Sequence, residues 1–168
     1  MNVGQHYIET AVAEEPELTD HWESILSARK TWVAGSDEFG YLHYDYGLTN
    51  MLYDLECLTI IDHAAQFGWF FDDVAVPFQS LKRDGIPDQL IKTYWGRFVS
   101  GYSREFTLKA EWMPRLRITL DSRRLLFYAI NMAYKKSGVG SADFPVLEKW
   151  REDMIAERPF VDIDFSLP

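Results

Sequence analysis

The sequence predicts a mainly α-helical domain that carries a small β element. Two observations support this fold class. From residue 70 onward, apolar residues recur at three- and four-residue spacing, as in helices that bury one face. Between residues 39 and 62, three short apolar runs alternate with loops, and each run is too short for a helix. A chain of 168 residues has the size of one domain, so residues 1–168 are expected to fold as a single domain.

The first third of the chain is predicted to contain one helix and three strands. Residues 1–15 show weak periodicity, and we expect a weakly structured N-terminus there. A helix is predicted to follow Pro16, with Asp20 as its N-cap and Glu23 completing a capping box. The predicted strands cover residues 39–43, 50–53 and 58–62.

The remainder of the chain is predicted to be helical. The four predicted helices cover residues 70–81, 90–99, 111–136 and 146–154. Gly138 and Gly140 are expected to end the third helix, and Pro159 is expected to end the helical pattern of the fourth. The tail at 160–165 alternates apolar and acidic residues and is expected to lie extended across helices. Aromatic residues at helical spacing, such as Phe71 and Trp95, are interpreted as core rather than as a cage for an ammonium ion.

Composition and charge narrow the function classes. A net charge of -9 repels nucleic-acid phosphates and anionic membranes, so neither is an expected partner. Cys57 is the only cysteine, which excludes an intrachain disulfide. The sequence has no long apolar run and no signal-peptide pattern at its start. A cytoplasmic protein with a small-molecule substrate is therefore expected.

The residues with the clearest chemistry lie in a polar loop between two predicted strands. Asp45 is followed five residues later by Asn50, and Asp62 ends the next predicted strand. Phosphoryl transfer needs one carboxylate to orient the attacking hydroxyl and accept its proton. It also needs an amide oxygen and a second carboxylate to hold Mg²⁺ against the phosphates. The spacing His-x-Asp-x-x-x-x-Asn, with an aspartate downstream, matches the catalytic loop and metal aspartate of kinases.

The stretch from Gly40 to Ala75 resembles the core of the aminoglycoside phosphotransferase and choline-kinase-like family, whose fold is similar to that of the protein kinases. Members carry an H-G-D-x-x-x-x-N loop, an I-D-[FW] strand end and a helix with D-[LIV]-A. The matching segments here are His43-Tyr44-Asp45 to Asn50, Ile61-Asp62-His63 and Asp73-Val74-Ala75.

The resemblance implies a role for five residues. Asp45 is expected to be the catalytic base, and Asn50 and Asp62 the ligands of Mg²⁺. His43 and Asp73 are expected to support the catalytic loop. The resemblance also implies ATP as the phosphate donor, a hydroxyl of a small molecule as the acceptor, and the C-terminal helical lobe of a protein-kinase-like fold.

Three departures from the family pattern stand out. Tyr44 replaces the glycine of the loop, and His63 replaces the aromatic residue after the metal aspartate. Upstream of residue 39 there is no Gly-rich phosphate loop and no strand lysine with a matching helix glutamate. The N-terminal lobe that clamps ATP is therefore expected to be absent from this sequence. A fragment, a truncated product and a lobe supplied by another chain all stay open.

Two alternative functions stay open as well. One is a non-catalytic, truncated kinase-like module that self-associates as a homo-oligomer through its exposed interlobe face. The other is a metal-dependent hydrolase, in which His43, Asp45, Asp62 and His63 would form a transition-metal cluster. The second alternative leaves Asn50 without a role.

Overall fold

The computed structural model describes residues 3–33, 35, 37–138 and 146–167. The chain divides into two compact units. The first unit combines Met1–Trp32 with Asp121–Phe160, and the second combines Val33–Leu120 with Val161–Pro168. Six α-helices and four short strands lie in the described residues, so the predicted mainly α class with a small β element is confirmed.

All the secondary structure described in the first unit is helical. It contains α1 (Val3–Glu14), a 3₁₀ turn at Pro16–Leu18, α2 (Thr19–Lys30), most of α5 (Met113–Ser137) and α6 (Val146–Ile155). Apolar side chains from each of these elements are buried: Ile8, Leu18, Ile25, Leu125, Leu147, Trp150 and Met154. Burial of such side chains stabilises helices whose own propensity is modest.

Two expectations for the N-terminal region are wrong. Residues 3–14 form a helix rather than a weakly structured segment. Only a narrow stripe of this helix is buried, including Ile8 and Ala11, so its apolar periodicity is weak in the sequence. The predicted cap also fails, because α2 already includes Asp20 and its N-cap residue, Leu18, makes no side-chain capping bond. The preceding 3₁₀ turn starts the helix instead.

The second unit contains two antiparallel two-stranded sheets. In one, β1 (Phe39–Leu42) pairs with β4 (Gln66–Trp69); in the other, β2 (Met51–Tyr53) pairs with β3 (Leu58–Ile60). The first three strands match the predicted runs, whereas β4 was not predicted. Gly40 and Gly68 face each other across β1 and β4. A Cβ at Gly68 would lie 2.7 Å from the Leu42 Cδ1 atom, so a larger residue there would have to displace the Leu42 side chain.

Helices α3 (Phe70–Arg83), α4 (Asp88–Tyr102) and the beginning of α5 complete the second unit. Their core is aromatic. The Phe78 ring lies 5.3 Å from the ring of Trp95 and 6.3 Å from that of Phe165, both in edge-to-face geometry. The indole N–H of Trp95 donates to the Ser166 carbonyl at 3.0 Å. Residues 163–166 of the C-terminal tail are thereby fixed against α3 and α4.

No helix in the described part of the chain combines the length and the apolarity that a bilayer crossing requires.

A buried histidine lies in the first unit. His21 is only 9% exposed, and its Nε2 atom has no hydrogen-bond partner among the described residues. Burial, together with the charge of Arg124, lowers its pKa from 6.5 to about 4. Arg124 is itself buried and donates to the Asp121 carboxylate and the Arg158 carbonyl. A protonated His21 would therefore place a second cation in a buried region.

We predict that His21 makes stability depend on pH. Its folded-state pKa is depressed, so the unfolded chain takes up the proton first as the pH falls. Above about pH 6.5, His21 is neutral in both states and costs no stability. As the pH falls toward 4, the free energy of unfolding decreases by about 2 kcal/mol, after allowance for solvent screening. Urea unfolding at both ends of this range measures the effect. His21→Gln should remove this part of the pH dependence, whereas the exposed control His6→Gln should retain it.

Candidate active site

The loop between β1 and β2 is anchored by one carboxylate from α3. Asp73 accepts the backbone N–H of His43 on Oδ2 at 2.8 Å and that of Tyr44 on Oδ1 at 2.6 Å. Both of its oxygens are thus used by two consecutive amides. The N-terminal turn of α3 also favours a negative charge through its unpaired N–H groups. Asp73 therefore fixes the start of the loop that carries Asp45 and Asn50.

His43 connects this loop to the segment that follows β3. The buried imidazole has its Nε2 atom 2.9 Å from the carbonyl oxygen of Ile61. Because a carbonyl can only accept, Nε2 must carry the proton, and the buried Nδ1 has no hydrogen-bond partner in the part of the chain that the structure describes. The Ala64 N–H donates back to the His43 carbonyl at 3.1 Å. The ring of the exposed His63 lies 4.8 Å from that of His43.

Asp45 and Asn50 are in direct contact. The side-chain amide of the buried Asn50 donates to the Asp45 carboxylate Oδ2 at 2.9 Å and to the Asp45 carbonyl at 2.8 Å. These two acceptors determine the orientation of the amide, since only its NH₂ group can face both. The Asn50 Oδ1 atom therefore points away from them and accepts no hydrogen bond from a described residue. The Asp45 side chain is exposed.

Asp62 lies on the segment next to this pair. The N–H of Ile61 donates to the Asn50 carbonyl at 3.0 Å, so the residue before Asp62 is joined directly to Asn50. Asp62 is exposed and has a positive φ of 61°. The structure thus brings the side chains of Asp45 and Asn50 together and holds Asp62 beside them through the backbone.

A cavity of about 750 Å³ adjoins this cluster in the second unit. His43, Asp62 and Asp73 line it, whereas Asp45 and Asn50 do not. Its other lining side chains are mostly apolar or aromatic: Tyr41, Leu42, Tyr46, Ile60, Ile61, Phe70, Val74, Phe98, Tyr102 and Phe106. Burial, and then the negative charge of Asp73, raise the pKa of Tyr46 and Tyr102. Both phenols therefore stay neutral and can donate hydrogen bonds.

The oxygen atoms near Asp62 suit a hard divalent ion that is coordinated partly by the protein and partly by a bound ligand. Asn50 and Asp62 offer one amide oxygen and one carboxylate, and Mg²⁺ is commonly held by few protein oxygens plus substrate phosphates and water. Across residues 3–33, 35, 37–138 and 146–167, no three His, Cys, Asp or Glu side chains are grouped to hold a metal. The described residues therefore do not supply the cluster that the hydrolase hypothesis needs.

Two buried carboxylates in the second unit were missed in the sequence. Asp72 accepts the Trp69 N–H and the Thr119 hydroxyl, both at 3.3 Å, although its position suggests a solvated neighbour of Asp73. Glu38 forms ion pairs with Lys109 at 3.1 Å and Arg115 at 3.0 Å. Burial acts to raise the pKa of Glu38, but hydrogen bonds from these and other side chains lower it overall. No motif marks either residue, because their partners are distant in sequence.

Tyr44 adopts a backbone conformation that favours glycine. Its φ is 68°, in the left-handed region that glycine enters freely and other residues enter at a cost of about 1–2 kcal/mol. Asp73 holds the Tyr44 N–H in this conformation. Tyr44 therefore adds local strain to the loop.

Comparison with known proteins is informative at the level of structure. No protein-family model and no curated protein matches the sequence. A solved structure, amicoumacin kinase hAmiN in complex with AMP-PNP, Ca²⁺ and Ami, superimposes with a TM-score of 0.80 at 16% identity. The match covers 90% of this chain and 48% of the kinase, so the chain spans about half the length of that protein.

The chain has a kinase-like fold. The predicted fold class, a helical lobe of a kinase-like fold, is confirmed by this likeness. At 16% identity the likeness establishes the fold alone, and the chemistry depends on the geometry of the residues around Asp45.

We predict that Asp73→Ala destabilises the fold by about 3 kcal/mol, because two backbone N–H groups lose a charged acceptor. Chemical denaturation measures the loss, and hydrogen exchange at the His43 and Tyr44 amides locates it. The exposed Glu111, which makes no hydrogen bond to a described residue, provides the control Glu111→Ala. Unchanged exchange at the two amides in Asp73→Ala would show that the carboxylate does not hold the loop.

We predict that glycine is more stable than alanine at position 44. Comparing Tyr44→Gly with Tyr44→Ala cancels the loss of the tyrosine ring and isolates the backbone. The glycine variant should be more stable by about 0.5–1 kcal/mol, since the left-handed cost exceeds the entropy of glycine. The same pair of substitutions at Leu52, in β2, should show the opposite order. Thermal or urea unfolding distinguishes the two orders.

Proposed function

We propose that the chain is the catalytic, C-terminal lobe of an ATP- and Mg²⁺-dependent phosphotransferase that acts on a hydroxyl group of a small molecule. By resemblance, we assign it to the aminoglycoside phosphotransferase and choline-kinase-like family. The observation that carries the proposal is the hydrogen-bonded pair Asp45–Asn50, held beside Asp62 by the Ile61–Asn50 backbone bond. The kinase-like fold supports it.

Asp45 is proposed to orient the acceptor hydroxyl and receive its proton. The Asn50 amide holds the Oδ2 atom of Asp45 at 2.9 Å, while Oδ1 accepts no hydrogen bond from a described residue. An exposed carboxylate with one oxygen fixed and the other open can accept a hydroxyl proton in a defined direction. Asn50 sets the orientation of the Asp45 carboxylate, so the two residues are proposed to act together.

Asn50 and Asp62 are proposed to hold Mg²⁺ together with the phosphates of ATP. The Oδ1 atom of Asn50 is open, because the NH₂ group of the same amide faces Asp45. When bound, Mg²⁺ would offset the negative charge of the nucleotide phosphates. The similar kinase was solved with AMP-PNP and Ca²⁺, which supports nucleotide and divalent-ion binding as part of this proposal.

An N-terminal lobe, on the same chain or on another, is proposed to complete the ATP site. The chain covers 48% of the similar kinase, and the described residues include no Gly-rich phosphate loop. The exposed apolar side chains of β2 and β3, among them Leu52, Leu58 and Ile60, would also suit the self-associating module. That alternative gives no role to the Asp45–Asn50 pair, and the comparisons do not favour it.

We predict that Asp45→Asn and Asp62→Asn fail in different ways in the full-length gene product. Asp45→Asn should keep the affinity for Mn²⁺·AMP-PNP but lower phosphoryl transfer at least about a hundredfold, because the proton acceptor is lost. Asp62→Asn should weaken the metal–nucleotide complex itself. Water proton relaxation reports Mn²⁺·AMP-PNP binding, and ADP release over a panel of hydroxyl compounds reports transfer. Full activity in Asp45→Asn, or no nucleotide binding by the wild type, would contradict the proposal.

A further inference from the structure

His63 belongs to the candidate active site, but the proposed function gives it no role. It directly follows Asp62 and replaces the aromatic residue that the family carries at this position. Its side chain is exposed and lines the same cavity as Asp62. Unlike a phenylalanine ring, an imidazole has two nitrogens that can donate or accept hydrogen bonds. What the replacement adds therefore depends on which nitrogen carries the proton.

One hydrogen bond fixes the tautomer of His63. The backbone N–H of Ala65 donates to the Nδ1 atom of His63 at 3.1 Å. Because Nδ1 accepts, the proton of the neutral imidazole lies on Nε2. This Nε2–H group makes no hydrogen bond to a described residue. A nitrogen that carries a proton has no lone pair for a metal ion, so Nε2 of His63 is an open hydrogen-bond donor and not a ligand.

The ring of His63 is held from two directions. The Ala65 N–H fixes its Nδ1 edge, and the ring of the buried His43 lies 4.8 Å away at an interplanar angle of 55°. His43 is in turn positioned by the carbonyl oxygen of Ile61, 2.9 Å from its Nε2 atom. A side chain held in this way loses less conformational entropy on binding a ligand than a free surface side chain does. The Nε2–H donor of His63 is thus partly preorganised.

The cavity offers few hydrogen-bond donors to a phosphate group. Its charged side chains are carboxylates, among them Asp62 and Asp73, and no Lys or Arg side chain is among the described residues that line it. The phenols of Tyr46 and Tyr102 lie within the electrostatic influence of Asp73, which would repel an anion beside them. At Asp62 the proposed Mg²⁺ would offset the charge of the carboxylate. The N–H donor beside that position is His63.

We propose that His63 is a phosphate-binding residue, whose Nε2–H group donates a hydrogen bond to a phosphate oxygen of the nucleotide complex held by Asn50 and Asp62. The assignment of this phosphate to a nucleotide rests on the proposed function. A hydrogen bond to a charged acceptor is stronger than one between neutral groups. His63 therefore supplies binding energy that a phenylalanine at the same position could not.

The tautomer is tested on the chain labelled with ¹⁵N-histidine, by long-range ¹H–¹⁵N NMR at pH 8. The spectrum of His63→Phe identifies the resonances of His63 among those of the four histidines. Nε2 should show the shift of a protonated ring nitrogen, and Nδ1 that of an unprotonated one. Mg²⁺ with inorganic tripolyphosphate should move the Nε2 resonance more than Mg²⁺ alone. A proton on Nδ1, or an Nε2 resonance that tripolyphosphate does not move, would overturn the proposal.

Two substitutions separate the N–H donor of His63 from its ring. His63→Phe keeps a ring without the donor, whereas His63→Gln keeps an N–H donor without the ring. The affinity for Mg²⁺·tripolyphosphate, measured by NMR titration, should fall about five- to tenfold in His63→Phe and about twofold or less in His63→Gln. The control His6→Phe replaces an exposed histidine that does not line the cavity, and it should bind like the wild type.

Several outcomes of these titrations would reject the role of His63. They are an unchanged affinity in His63→Phe, an equal loss in both variants, and a wild type that does not bind Mg²⁺·tripolyphosphate. An altered His43 resonance with unchanged affinity would show that His63 only supports the His43 ring. The proposed function fails separately. If the titrations give the expected ratios but the full-length gene product transfers no phosphoryl group to any hydroxyl compound, the phosphotransferase is refuted and the phosphate contact of His63 stands.

Discussion

The carboxylate of Asp73 accepts two consecutive backbone N–H groups, from His43 and Tyr44, and the candidate active site is built from this contact outward. Immediately after these two amides, Tyr44 turns the chain through a left-handed conformation. A charged acceptor with both oxygens used holds this turn more firmly than water would. The loop then continues to Asp45 and Asn50 from a fixed starting point.

The groups proposed to do the chemistry are positioned mainly through backbone bonds. His43 and Asn50 each bond to the backbone of Ile61, and the His43 carbonyl accepts the N–H of Ala64. These contacts join the catalytic loop to the segment of Asp62 and leave the Asn50 Oδ1 atom open. Such preorganisation is what phosphoryl transfer requires, since its catalysis consists of positioning and charge stabilisation.

The aromatic core of the second unit is also the wall of the cavity. Phe98 contacts two core rings, Phe78 at 5.4 Å and Trp95 at 6.1 Å, and it contacts Tyr102 in the cavity wall at 5.3 Å. Packing that stabilises α3 against α4 thus also sets the shape of the cavity. Substitutions at Phe98 would therefore carry a cost in stability, whereas the exposed Glu105 can vary more freely.

The sequence by itself determined the helical class, the positions of α3 to α6 and of three strands, and the residue types around Asp45. These features rest on local spacing, which a linear pattern records. The tertiary structure alone decided the helix at residues 3–14, the pairing of β4, and the burial of His21, Glu38 and Asp72. Each depends on partners far along the chain, as Glu38 does on Lys109 and Arg115. The tertiary structure also decided which aromatic residues line the cavity. A helical stripe of aromatic residues has the same sequence pattern whether it faces a core or a cavity.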